Sequence, residues 1–260
     1  MALAFAKYEG LGNDFVLVEG ADESAVSPAL ARALCDRRFG IGADGVLLLL
    51  PPKSAGAHGR MRVLNADGSI PEMCGNGLRC AVLHVARAKS LTDVAFDTDA
   101  GTKRCHVDGA MVTVDMGVVR WVQDTTIEID GESVALALAD AGNPHAILLG
   151  DTTRERFEKI GPRIATHARF AQGTNVELVH RRGAEIDLVV WERGVGITHA
   201  CGTGACATVA VGVAKRWVER NTEVAVHLPG GTLSVVIRDD DHAIMRGPAR
   251  HVFSGSYEGR

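Results

Sequence analysis

"PEMCGNGLRCAV" (Pro71–Val82) and "HACGTGACATVAV" (His199–Val211) share one plan. A cysteine, Cys74 or Cys201, is followed at once by a Gly-x-Gly step and then by helix-forming sequence. Two more stretches recur in the same order. "GLGNDF" at Gly10 matches "DAGNPH" at Asp140 through Gly12-Asn13 and Gly142-Asn143, and "RFGIGAD" at Arg38 matches "RFAQGTN" at Arg169. Each pair is offset by about 130 residues, the signature of an internal repeat. Glycine-rich turns look alike anywhere, so one match would carry little. Three in register indicate duplicated half-domains. Duplication usually gives pseudo-two-fold symmetry, with equivalent elements facing each other across a cleft. The expected division is residues 1–118 plus 247–260 for one half-domain and 119–246 for the other, with the active-site cleft between them.

Between these landmarks the pattern is α+β. "VDGAMVTVD" at Val107, "IDGESVALA" at Ile129, "PGGTLSVVI" at Pro229 and "HRRGAEIDLVV" at His180 place glycine turns beside alternating apolar residues, which predicts hairpins. Four helices are expected. Ser27-Pro28 opens one with an N-cap and a first-turn proline, and Gly40 closes it. Asp151 to His167 forms another. The remaining two run from Cys74 to about Lys89 and from Cys201 to about Trp217, with Lys89, Lys215 and Arg216 near their C-terminal ends. Regular strand–helix alternation is lacking, so the prediction is antiparallel hairpins with interspersed helices.

Composition excludes several classes. The 260 residues are 46% hydrophobic and 23% charged, enough for a sizeable core in an ordinary soluble protein. The net charge of -4 is not gathered in a tail, so neither nucleic acid nor membrane is an expected partner. The longest greasy run, Val46 to Leu50, is far short of the ~18 residues of a membrane span. "MALAFAKYEG" has no basic region before a long apolar one, so no signal peptide is expected. Six cysteines without such a signal read as reduced thiols in the cytoplasm.

A glycine-rich turn entering a helix presents backbone N–H groups and the positive end of the helix dipole, an anion site. A thiol placed there is expected to have a lowered pKa. Two such helix starts would converge on one small anion with a thiol on each side. That suits inversion at a carbon beside a carboxylate: one cysteine, as thiolate, removes a proton from one face, and the other, as thiol, returns one to the opposite face. A thiol pKa shift of about 3–5 units, at about 1.4 kcal/mol each, cannot activate so weak a carbon acid by itself. The helix N-termini must also stabilise charge flowing into the carboxylate, at about 3–4 kcal/mol per preorganised donor. Cysteine is also a common small core residue. That reading is assigned to Cys35, Cys80, Cys105 and Cys206. A zinc site from Cys74, Cys80, Cys201 and Cys206 would have C-x5-C and C-x4-C spacings inside helical sequence, unlike the tight knuckles of zinc modules. The full phosphate-loop motif is absent.

"NADGSIPEMCGNGLR" (Asn65–Arg79) resembles the signature of diaminopimelate epimerases: N-x-D-G-S, four residues, then C-G-N-G-x-R. "GLGNDF", "GNPH" at Gly142, "ERGVG" at Glu192 and "ACGTGACA" at Ala200 match other blocks of that family in order, across essentially the whole chain. The resemblance implies two pseudo-symmetric half-domains, each an antiparallel barrel-like sheet around a central helix. It implies conversion of LL- to meso-diaminopimelate in lysine and peptidoglycan precursor synthesis, without metal or pyridoxal phosphate, usually by a homodimer. By position, Cys74 and Cys201 resemble the acid/base pair, and Gly75-Asn76 and Gly202-Thr203 the cradle for the reacting carboxylate. Asn13, Asn65, Asn143, Asn175, Glu192 and Arg193 resemble substrate contacts, with His145 and Glu192 placed to tune the thiols. A two-ended substrate suits this set: Arg193 offers a fork for the distant carboxylate, and the asparagines and Glu192 offer acceptors for its ammonium. As turn residues, Asn13 and Asn143 have a plainer explanation, as has Arg193 if it is a solvated hairpin charge. Glu9 stands where many relatives carry histidine, Gly45 where some carry a polar residue, and Phe253 where some have a tyrosine at the dimer contact. A racemase of the same fold acting on proline, hydroxyproline or histidine is the nearest rival. Arg193 and the four asparagines favour a substrate with a second charged end.

Overall fold

The computed structural model describes residues 2–71 and 74–259. Glu72 and Met73 of the first signature stretch lie outside the described residues, with Met1 and Arg260. In chain order the elements are β1 (Leu3–Gly10), β2 (Asn13–Glu19), α1 (Pro28–Cys35), β3 (Gly45–Leu50), β4 (Gly59–Asn65), α2 (Gly75–Lys89), β5 (Asp93–Thr98), β6 (Gly101–Asp108) and β7 (Met111–Val118). They continue with β8 (Arg120–Ile129), β9 (Glu132–Asp140), β10 (Pro144–Leu148), α3 (Arg154–Ala165), β11 (Asn175–Arg182), β12 (Glu185–Glu192), β13 (Gly196–Ile197), α4 (Gly202–Ala214), β14 (Val224–Leu228), β15 (Gly231–Ile237), β16 (His242–Pro248) and β17 (Arg250–Tyr257). Two compact units emerge, Met1–Val114 with Gly247–Arg260, and Asp115–Arg246.

Within the first unit the strands pair in the order β17-β1-β2-β3-β4-β5-β6-β7, with β2–β3 and β4–β5 parallel and every other junction antiparallel. Within the second the order is β8-β9-β10-β11-β12-β14-β15-β16, with β10–β11 and β12–β14 parallel and the rest antiparallel. The series of junctions is the same. A parallel junction needs a crossover, usually a helix; α1 and α2 supply the two in the first unit, α3 and α4 the two in the second. The duplication inferred from three short motifs thus extends to eight strands in each unit; the two-residue β13, paired with β12, has no counterpart in the first. The sheets are mixed, whereas antiparallel sheets were expected. The hairpin turns are visible in the sequence, but the pairing of strands on either side of a helix leaves no local mark.

The helices divide into two kinds. In α4 every residue from Gly202 to Gly212 is buried, and in α2 nearly all from Gly75 to Ala86. A helix that buries its whole circumference is a core element, which is the central helix expected in each unit. Small residues make this tolerable: Ala207 and Val211 pack among Ala137, Ala139 and Ile147. By contrast α1 buries only Ala31, Leu34 and Cys35, against Val16, Val46 and Leu48. Helix α3 buries Phe157, Gly161, Ile164 and Ala165, of which Phe157 and Ile164 meet Val176 and Leu178. Each fully buried side chain of this size contributes about 1.5–3 kcal/mol.

All four predicted hairpins form. The turn between β8 and β9 puts Asp130 and Gly131 at φ 56° and 80°, the two positive values of a type I′ turn. Ser27 caps α1 through Leu30 N–H, as predicted. That helix ends at Cys35, however, and Gly40 does not close it. Asp36 stops it: Oδ1 accepts the N–H groups of Arg38 and Phe39 at 2.7 and 2.8 Å. Gly40 is instead a close-packing residue, since a Cβ there would lie 2.0 Å from the Ala33 carbonyl oxygen. Helix α3 is shorter than expected at both ends, beginning after its cap Thr153. Helix α4 ends at Ala214, before Trp217, and Arg216 adopts φ 58° beyond it. No helix among the described residues is long and apolar enough to cross a membrane.

Candidate active site

Cys74 and Cys201 are the N-caps of the two central helices. Their backbones are nearly superposable in conformation, φ −137°, ψ 101° and φ −131°, ψ 108°. Each Sγ accepts the N–H of the residue three positions on, Gly77 or Gly204, at 3.4 Å. Sulfur takes the place that a serine or aspartate oxygen usually fills. The cap holds the thiol at the helix axis, beside the first-turn N–H groups of Gly75-Asn76 or Gly202-Thr203, which have no acceptor within their own helix ladder.

In the first unit the helix start is joined to the β1–β2 turn. Asn76 Nδ2 donates to Asn13 Oδ1 at 3.2 Å, and Asn13 Nδ2 donates to Asp44 Oδ2 at 2.8 Å. Arg79, wholly buried, donates to Asn76 Oδ1 at 3.0 Å and to the Pro248 carbonyl oxygen at 3.2 Å. Asp44 and Asp14 share Arg37. Burial opposes ionisation of Asp14, but hydrogen bonds from Arg37 and Lys7 hold its pKa at about 2. Asn65 is not part of this chain of bonds. It ends β4, and the following turn ties it to Ser69 through both backbone N–H and Nδ2. Gly45 needs to be glycine for packing, because a Cβ would sit 2.8 Å from the Leu64 carbonyl oxygen.

In the second unit the surroundings are more strongly ionisable. Cys201 lies 3.5 Å from the Thr203 hydroxyl, and the Glu192 carboxylate acts on it electrostatically. Thr198 Oγ1 donates to Glu192 Oε1 at 2.5 Å. His145, buried on β10, meets Glu177 Oε1 through Nδ1 at 2.6 Å and Asn143 Oδ1 through Nε2 at 2.9 Å. Asn175 Oδ1 accepts the Arg193 backbone N–H at 2.9 Å, and its Nδ2 donates to the Pro144 carbonyl. The Arg193 guanidinium donates to the Gln172 carbonyl at 3.0 Å and lines a groove with Phe170, Trp191 and Val195. It is therefore anchored, not a freely solvated hairpin charge.

The helix N-terminus was expected to lower the thiol pKa. At Cys201 the shift is upward: burial pushes it well above the ordinary value, and the Glu192 and Glu177 carboxylates add to this, against the Thr203 hydroxyl and Gly204 N–H. Desolvation of the thiolate outweighs the helix end. Burial likewise pushes Glu192 above the usual carboxylate range, with the Thr198 hydroxyl opposing. The other four cysteines are buried, in helices or on β6, as expected of core residues. Among the described residues no three His, Cys, Asp or Glu side chains are grouped as a metal site would group them.

Sequence reasoning missed Glu177, Asp44 and Thr198. "NVELV" offered a signal for the first: a lone carboxylate in an apolar strand has to be satisfied by something. Asp44 was visible as the counterpart of Asn175 in the repeat.

The model of the family described as diaminopimelate epimerase matches residues 5–122 and 137–252. The chain belongs to the diaminopimelate epimerase family. It is 42% identical over 283 aligned positions to the diaminopimelate epimerase of Gloeothece citriformis, covering 99% of this chain and 100% of that one. To the diaminopimelate epimerase of Desulforudis audaxviator it is 42% identical, covering 98% and 99%. Membership of this family makes it an isomerase. Among solved structures, a probable proline racemase from Agrobacterium radiobacter K84 has a TM-score of 0.77 at 14% identity, over 98% of this chain and 93% of that one. A hydroxyproline epimerase from Agrobacterium vitis has a TM-score of 0.73 at 16% identity, over 98% and 91%. At such identities these likenesses speak to the α+β fold alone.

Proposed function

We propose that this chain interconverts LL- and meso-2,6-diaminopimelate by two-thiol acid–base catalysis, without metal or pyridoxal phosphate. The observation that carries this reading is the matched pair of capping thiols. Two cysteines with the same backbone conformation, each on the N-terminus of a core helix, give a reacting carbon two proton-handling groups and its carboxylate two sets of N–H donors. One thiolate takes the α-proton; the carbanion's charge spreads into the carboxylate; the other thiol delivers a proton to the opposite face. Gly75, Asn76, Gly202 and Thr203 cradle that carboxylate. Asn13, Asn65, Asn143, Asn175, Glu192 and Arg193 bind the rest of the substrate, and His145 and Glu192 tune Cys201. The family relatives support the choice of substrate. The enzyme acts as a cytoplasmic homodimer serving lysine and peptidoglycan precursor synthesis, as the family resemblance implies.

The test is incubation of the purified, reduced protein with LL-diaminopimelate, proline and histidine separately, with no cofactor added, followed by chiral chromatography. Formation of meso-diaminopimelate alone is expected. Racemised proline or histidine with unchanged diaminopimelate would contradict the substrate assignment.

A further inference from the structure

Gly77 and Gly204 stand at equivalent positions, each three residues after its thiol. A Cβ on Gly77 would lie 2.7 Å from Leu47 Cδ2 and 3.4 Å from Cys74 Sγ; one on Gly204 would lie 3.0 Å from Glu177 Oε1 and 3.3 Å from Cys201 Sγ. Leu47 and Glu177 belong to β3 and β11, equivalent strands of the two units, and both are wholly buried. One helix start rests on a methyl group, the other on a carboxylate. Burying a carboxylate is costly unless it is compensated. Compensation here is incomplete: Oε1 meets His145 Nδ1 at 2.6 Å, while buried Oε2 has no hydrogen-bond partner among the described residues. His145 in turn has Asn143 Oδ1 at 2.9 Å from Nε2. Because that amide oxygen can only accept, Nε2 carries a proton, and Nδ1 and Glu177 Oε1 share another between them.

We propose that Glu177 is a positioning residue, whose buried carboxylate locks the His145 ring so that His145 holds Asn143 and keeps the wall beside Cys201 in one arrangement. The inference rests on Cys201 being one of the two acid/base thiols. The groups that face that thiol are Glu192 on β12, Glu177 on β11, and the Thr203 hydroxyl and Gly204 N–H on α4. Glu177 is the one among them that also fixes a neighbouring ring. A misplaced wall costs rate rather than affinity, because alignment matters most in the transition state.

The test compares Glu177→Leu, the side chain of the other unit, with Glu177→Gln, which keeps a hydrogen-bonding partner for Nδ1. Glu177→Leu leaves the buried His145 Nδ1 without its partner, so it is expected to melt below wild type, and to lose about tenfold or more in kcat with KM little changed. Glu177→Gln is expected to retain more of kcat than Glu177→Leu. Nitrogen-15 spectra of labelled histidine give a readout that needs no turnover: in wild type His145 should show Nε2 protonated throughout and Nδ1 shifted by its hydrogen bond to the carboxylate, and Glu177→Leu should lose the Nδ1 shift. Wild-type kcat in Glu177→Leu would overturn the proposal. So would a wild-type protein with mixed His145 tautomers, even if Glu177→Leu failed to fold. Inactivity of the wild type on every amino acid tried would sink the epimerase reading instead, and the tautomer measurement would still decide the role of Glu177.

Discussion

Cys74 and Cys201 share a cap geometry but differ in surroundings. At the residue scale the account requires both. Cys74→Ala and Cys201→Ala should each abolish epimerisation while circular dichroism stays native; Cys206→Ala, in the interior of α4, should cost about 1 kcal/mol of stability, the scale of a small cavity, and spare activity. Near-normal turnover in Cys201→Ala would contradict the two-thiol scheme. Arg193→Lys keeps the charge and loses the fork, so kcat/KM on diaminopimelate should fall by about tenfold or more, as one charge-assisted bond is worth about 1.5–3 kcal/mol; wild-type kinetics would place Arg193 outside the substrate site. The helix-start positions of Cys74 and Cys201 could be read from the sequence because motif and repeat marked them. The upward pKa shift at Cys201 could not, because it depends on burial and on Glu177 and Glu192 coming together from separate strands.

At the scale of elements, what the sequence shows is punctuation. Ser27 and the hairpin glycines act within a few residues, so their reading holds. The C-terminal end of α1 was misread because Gly40 answers to a carbonyl packed beneath it, a contact its neighbours in sequence do not reveal. The glycines of the cysteine stretches answer to similar close approaches. Gly77→Ala would push a methyl into Leu47, and Gly204→Ala into Glu177 and Val190. Each should destabilise its unit by about 1–3 kcal/mol, measured as a lowered urea midpoint with unchanged m-value; an unaltered midpoint would show that the helix start can shift at no cost. On β5, Asp97 accepts the N–H groups of Lys53 and Ser54 and the Thr102 hydroxyl. Burial pushes its pKa up, but these bonds prevail and hold it at about 2. A lowered pKa means stability present above the unfolded value, near 3.9, and lost as pH falls toward 2. Asp97→Asn should therefore unfold more easily at pH 7 and show less loss between pH 4 and pH 2 than wild type.

For the whole molecule, the repeat is the organising fact. Seven strand junctions recur in the same series in two units. Three short motifs were enough to infer that duplication, because they recur in the same order at a nearly constant offset. The mixed character of the sheets was not visible, because parallel pairing is decided between strands some tens of residues apart. The proposed reaction draws its two distinct bases from the helix-capping thiols, one in each unit of the duplicated scaffold, and isotope exchange tests that claim most directly. In heavy water, starting from LL-diaminopimelate, a two-base enzyme keeps the abstracted proton on one sulfur while the other delivers a deuteron from solvent. Mass spectrometry at low conversion should find newly formed meso product labelled at the inverted carbon and recovered LL substrate nearly unlabelled. Early product without deuterium would mean that a single group carried the same proton from face to face, and would contradict the account even if both cysteines proved essential.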